Sequence, residues 1–155
     1  MKVIYCVFIL LFLSCQKEDI NPIEDVSLIG KWTEIIEAKP QGLLIYELTL
    51  NTNSTFILKI NQFGIYPTQS NQDISAWTEF SGTFEQKPPN TLILKAGEYS
   101  WWDDFYDMTP ISEASNAQVF ENCTYKIIND TLELTYTTYP ADSPIETKKV
   151  LTKVK

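Results

Sequence analysis

Apolar side chains recur at every second position along much of this chain, and that period admits one kind of element. Leu44, Tyr46, Leu48 and Leu50 keep one phase, and Phe56, Leu58 and Ile60 keep another run of it. Val119, Cys123, Tyr125 and Ile127 follow, with Glu121 breaking the run, and Leu132, Leu134 and Tyr136 repeat it. Successive strand residues point to opposite faces, so a single apolar phase describes a half-buried antiparallel strand. Turn chemistry fills the intervals. Asn51-Thr52-Asn53, Pro88-Pro89-Asn90 and Asn129-Asp130 each separate two such runs. Asn and Asp tolerate the positive φ of a tight hairpin, so each strand is expected to pair with the next.

These signals predict about eight strands, near 30–38, 43–51, 54–61, 77–86, 91–96, 118–128, 131–138 and 146–154. One helix is expected, over 110–118: Thr109 can cap it, Pro110 suits its first position, and Ala114 and Ala117 are permissive. Residues 62–76 read as a long polar connection containing Gly64 and Pro67. The fold class is therefore all-β, an antiparallel up-and-down meander. A meander of this length must dispose of its two edges. Closing into a barrel abolishes them, whereas a two-sheet sandwich keeps them, and strand counting leaves both open.

Composition narrows function. The formal charge is −8, and the chain contains no His and no Arg. Few cations on an acidic surface disfavour nucleic acid as a partner. Without His there is no imidazole base and no His-ligated zinc site; without Arg there is no bidentate clamp for phosphate or carboxylate. An enzyme would have to work with carboxylates, Lys, Tyr or Ser, and no two carboxylates can be set face to face from the sequence. A non-enzymatic protein with no cofactor and no metal is the expectation.

The first residues describe export. Met1-Lys2 is followed by an apolar run from Val3 to Leu13, then Ser14 and Cys15. The run is too short for the ~20 residues of a membrane-spanning helix, so it reads as a signal peptide over 1–14. Leu11-Phe12-Leu13-Ser14-Cys15 resembles a lipobox, which implies cleavage before Cys15 and lipidation of that cysteine. Lys17-Glu18-Asp19 resembles the surface-export signal of Bacteroidetes lipoproteins. Residues 15–26 then form a lipidated flexible tether, and 27–155 one domain. This places the protein at the outer membrane, anchored through acyl chains and exposed at the cell surface. With Cys6 lost and Cys15 acylated, Cys123 stands alone and the domain has no internal disulfide.

Leu28-Ile29-Gly30-Lys31-Trp32 opens the first strand. Gly-x-Trp in that place resembles the lipocalin signature. Leu48-Thr49-Leu50-Asn51, Ser54-Thr55-Phe56 and Gly82-Thr83-Phe84-Glu85 resemble the lipocalin-like lipoproteins of Bacteroidetes over most of 27–155. The resemblance implies a lipocalin-like β-barrel with Trp32 at its base. Lipocalins set an Arg from the last strand over that Trp; here Lys149 or Lys153 would take its place by cation–π contact. Asp130-Thr131-Leu132 resembles a short O-glycosylation motif of the same bacteria, although a hairpin position also accounts for Asp130.

Gly97 to Met108 breaks the pattern. It holds Tyr99, Trp101, Trp102, Phe105 and Tyr106 among four acids, without clean alternation. Three readings are open: a flap closing one barrel end, a loop binding a small molecule or glycan, or a protein-contact patch. Calcium at Asp103, Asp104 and Asp107 is a fourth, with spacing unlike an EF-hand. The function expected is binding of a small, largely apolar ligand; the alternative is an accessory or scaffold protein contacting a partner protein through 97–108.

Overall fold

The structure is a computed structural model and describes residues 27–37, 42–64, 73–106 and 109–155. Its strands are β1 (Gly30–Glu37), β2 (Leu43–Leu50), β3 (Thr55–Phe63), β4 (Ile74–Lys87), β5 (Thr91–Asp103), β6 (Ile111–Ala114), β7 (Gln118–Val119), β8 (Glu121–Ile128), β9 (Thr131–Thr138) and β10 (Ile145–Lys153). Every pairing is antiparallel. Each of β1 to β5 pairs with the next, β8 to β10 do likewise, and β5–β8 and β10–β1 contacts close a barrel of eight strands. The expected barrel is thus formed, and the sandwich is not.

β6, β7 and β8 are one strand broken twice. All three lie along β5, through Trp101↔Ile111, Leu94↔Val119 and Thr91↔Thr124 in turn. Phe120 and Asn122 carry positive φ (57° and 51°) at the second break. The helix expected over 110–118 is therefore not there. Isolated propensity at Ala114 and Ala117 is overridden because β5 offers its free backbone groups to this segment. Residues 1–26, where the sequence leads one to expect a signal peptide and tether, lie outside the described residues.

The second correction concerns 97–108. β5 runs on as strand to Asp103, and β4 starts earlier than expected, at Ile74. The alternation was hidden by a β-bulge. Ser81 faces Glu98 but Gly82 faces Ala96, which leaves Gly97 as the extra residue. One extra residue reverses the phase of all that follows. Leu92, Leu94 and Ala96 point inward before the bulge; Tyr99, Trp101 and Asp103 point inward after it. Gly82 makes room for this: a Cβ there would overlap the Lys95 carbonyl oxygen. Only Asp104–Tyr106, a 3-10 turn, leaves the strand within the described part of the segment. Likewise, 62–76 is shorter as a connection than expected, because β3 and β4 extend into it from both sides.

Inward residues form rungs across the sheet. One rung is Trp32–Leu48–Leu58–Phe80–Tyr99; the rung above it is Glu34–Tyr46–Ile60–Thr78–Trp101. Across the barrel, Leu132 faces Leu151, Leu134 faces Lys149, and Tyr136 faces Thr147. The lower end is dry. Trp32, Leu48, Leu50, Phe56, Leu58, Leu92, Leu94, Leu132, Leu134 and Leu151 are all 0–1 % exposed. Burying such side chains contributes about 1.5–3 kcal/mol each and is the main term holding this fold. Leu28, 4 % exposed, lies across the base. The Trp32 Nε1–H donates to its carbonyl oxygen at 2.8 Å. Lys153 covers the other side of Trp32, with Nζ 5.1 Å from a ring centroid, and also donates to the Ser27 carbonyl oxygen. Of the two lysines expected there, Lys153 takes the position, and Lys149 does something else.

Candidate functional site: the open half of the barrel interior

Above the leucine layer the interior changes character. Glu34, Tyr46, Ile60, Thr78, Phe80, Tyr99, Trp101, Tyr136 and Thr147 all face inward by register, yet each is only half-buried. Inward residues of a closed barrel touch solvent only where the interior opens, so this end is the mouth. The wall seams agree. β1 and β10 form ladder pairs only at Trp32↔Lys153 and Thr33↔Thr152, at the base. Above that point the two strands part.

Lys149 bridges the parting. Its Nζ lies 2.6 Å from Glu34 Oε2 and 3.3 Å from the Tyr46 ring centroid. Lys149 is 6 % exposed, so this ion pair and cation–π contact form the floor of the open half. A buried ammonium needs such partners, because an unpaired one would carry a large desolvation cost. Tyr46 and Tyr136 have hydroxyls that ionise less readily than usual. Burial is the larger cause for both, with the Glu34 charge adding to it; each phenol remains a proton donor at neutral pH. On β8 beside Tyr136, burial pushes the Cys123 thiol up to about 12, so this buried cysteine, the one free cysteine among the described residues, serves packing rather than nucleophilic chemistry. Two aromatic pairs stand in this open half. Phe80 and Tyr99 stack with centroids 4.9 Å apart, and Phe120 packs on Tyr136 at 4.6 Å.

The aromatic residues singled out in the sequence are dispersed. Tyr99 and Trp101 face the open half of the interior. Trp102 points outward beside Trp77, in a row with Asn61 and Ile45 on the outer face. Phe105 and Tyr106 stand 66 % and 63 % exposed at the rim, packed edge to face on each other at 5.1 Å. Trp32 is wholly buried at the base, and Cys15 lies outside the described residues. Among the described residues no cluster of three acids, Cys or His suits a metal ion; Asp107 lies outside them. A groove of about 370 Å³ lies along β8–β10, lined by Asn122, Thr124, Thr135, Thr137 and Glu146 and reaching Tyr136.

Sequence reasoning did not bring Glu34, Phe80 and Phe120 to the site. Glu34 had a signal: it sits in phase with Trp32, two residues on, so the alternation that buries Trp32 turns Glu34 inward as well. Phe120 had none, because its place depends on a positive φ. No family model, curated protein or solved structure matches this chain.

Proposed function

We propose that this chain is a lipid-anchored surface lipoprotein whose lipocalin-like barrel holds a small, largely apolar ligand in the open half of its interior, without catalysing a reaction. One observation carries the binding part: inward-facing aromatic side chains at one end are half-exposed, while those of the leucine layer are sealed. Apolar surface inside a concave wall, with a few polar groups at its floor, is the usual make-up of a small-molecule site. The anchor and the outer-membrane location rest on the opening residues through Cys15. Labelled palmitate is expected to enter the wild-type protein in its native host and not Cys15→Ala; equal labelling would remove the anchor.

Trp fluorescence titrated with medium-chain apolar compounds tests the barrel. Saturable quenching or enhancement is expected, lost or weakened about tenfold in Trp101→Ala and unchanged in Trp102→Ala. The second reading, docking of a partner protein, is favoured by the exposure of Phe105 and Tyr106 beside outward-facing Trp102. No fluorescence response to any apolar compound would leave that reading in place of the first.

A further inference from the structure

The floor of the open half carries hydrogen-bond donors that no described residue uses. A Lys ammonium has three N–H donors. Glu34 accepts one from Lys149 and the Tyr46 ring faces the ammonium. Among the described residues no other acceptor reaches Lys149, and neither the Tyr46 nor the Tyr136 hydroxyl donates to a described residue. Lys149, Tyr46 and Tyr136 face inward by register, from β10, β2 and β9, and both phenols feel the Glu34 charge. Donors held this way, at the bottom of an aromatic chamber, select a ligand atom that accepts hydrogen bonds.

The charge of that acceptor is set by Glu34. Its carboxylate already neutralises Lys149 at 2.6 Å. A ligand carboxylate at the same floor would put a second anion beside Glu34 in a site of lowered dielectric, with one cation between the two. A carbonyl oxygen meets the same donors without that repulsion and without the cost of desolvating a charge.

We infer that the barrel selects neutral amphiphiles with a carbonyl-type acceptor at one end and an apolar body, and that Glu34 is the specificity residue that rejects the corresponding acids. This rests on the proposed binding function. Lys149, with the Tyr46 and Tyr136 hydroxyls, holds the carbonyl oxygen, and Phe80, Tyr99 and Trp101 cover the alkyl body.

The test compares octan-2-one with octanoate, equal in chain length, by Trp fluorescence on the purified protein at pH 7.5. The ketone is expected to bind at least tenfold more tightly. A ketone partitions better into any apolar pocket, so the variants decide. Glu34→Gln is expected to shrink the preference at least fivefold by admitting octanoate. Tyr136→Phe, which removes one donor and no packing, is expected to weaken the ketone about threefold and leave urea unfolding nearly unchanged. Lys149→Met is expected to weaken it about tenfold, and is read only if its near-ultraviolet circular dichroism matches wild type. Octanoate binding as well as the ketone, or a preference unmoved by Glu34→Gln, would overturn the selectivity while leaving the cavity intact. Absence of binding by both compounds would overturn the cavity and the selectivity together.

Discussion

The two ends of this barrel are built from the same strands and do opposite work. At the base, Trp32 and the leucines of five strands (β2, β3, β5, β9 and β10) meet with no access for solvent, and Leu28 and Lys153 seal the outside of Trp32. One to two rungs higher, the same inward phase carries Glu34, Tyr46, Thr78, Trp101, Tyr136 and Lys149. The difference lies in side-chain chemistry and in one seam: the inward residues change from leucine to polar and aromatic, and the β1–β10 ladder stops at Trp32 and Thr33. A closed, apolar layer supplies stability; an open layer with retained polar groups gives some of that up and, on the proposed reading, gains a surface for a ligand. The stabilising layer and the proposed binding layer are thus separated along the barrel axis.

That separation can be broken most forcefully at the base. Trp32→Ala is expected to cost about 3–5 kcal/mol in urea unfolding, from lost burial and the cavity left behind. Trp101→Ala, at the half-exposed rung, is expected to cost less than about 1.5 kcal/mol. Equal losses at the two positions would show one continuous core and end the distinction.

The bulge offers a second, smaller lever. Gly82→Ala places a methyl against the Lys95 carbonyl oxygen, so β4 and β5 must move apart where the phase of β5 reverses. A loss of about 2–3 kcal/mol is expected. A weakened Phe80–Tyr99 stack should appear with it as a change in near-ultraviolet circular dichroism. A variant as stable as wild type, with the same spectrum, would mean that the reversal does not depend on that close approach.

Alkaline pH gives the smallest effect over the range read, pH 9 to 10. The buried Cys123 thiol ionises at about 12, against 9.0 for the free group. Above pH 9 the unfolded chain therefore releases a proton that the folded chain keeps. Fewer protons bound in the unfolded state means stability falls as pH rises, by up to about 1.4 kcal/mol per pH unit between 9 and 12. Tyr46 and Tyr136, also raised, add to the fall above pH 10. Cys123→Ala is expected to flatten the onset between pH 9 and 10, read as urea midpoints across that range. An unchanged slope in that variant would place the thiol in solvent.

Much of the fold was legible because period two is a local signal. Leu44 to Leu50 and Leu132 to Tyr136 announce strands whichever neighbours they meet, and Asn129 marks its hairpin and takes the positive φ that Asn tolerates (53°). The failures share one cause. Residues 97–103 looked irregular because a single bulge residue reverses phase, and a bulge is a property of two strands in register. Ala114 and Ala117 suggested a helix because propensity is counted along one segment, whereas β6 and β7 exist by pairing with β5. The site was half legible. Tyr99 and Trp101 face inward, whereas Trp102, which the sequence groups with them, is sent by the bulge to the other side of the wall.

By itself the sequence determined which residues alternate, where the chain turns, that no imidazole or guanidinium is at hand, and that a tryptophan opens the first strand. Those are properties of neighbours along the chain. Tertiary structure alone decided that the sheet closes, that Lys149 meets Glu34 across a distance of 115 residues, and that the aromatic segment splits between interior and exterior. Closure and register join residues far apart in the chain, and no local period encodes which distant strand will supply the partner of a buried charge.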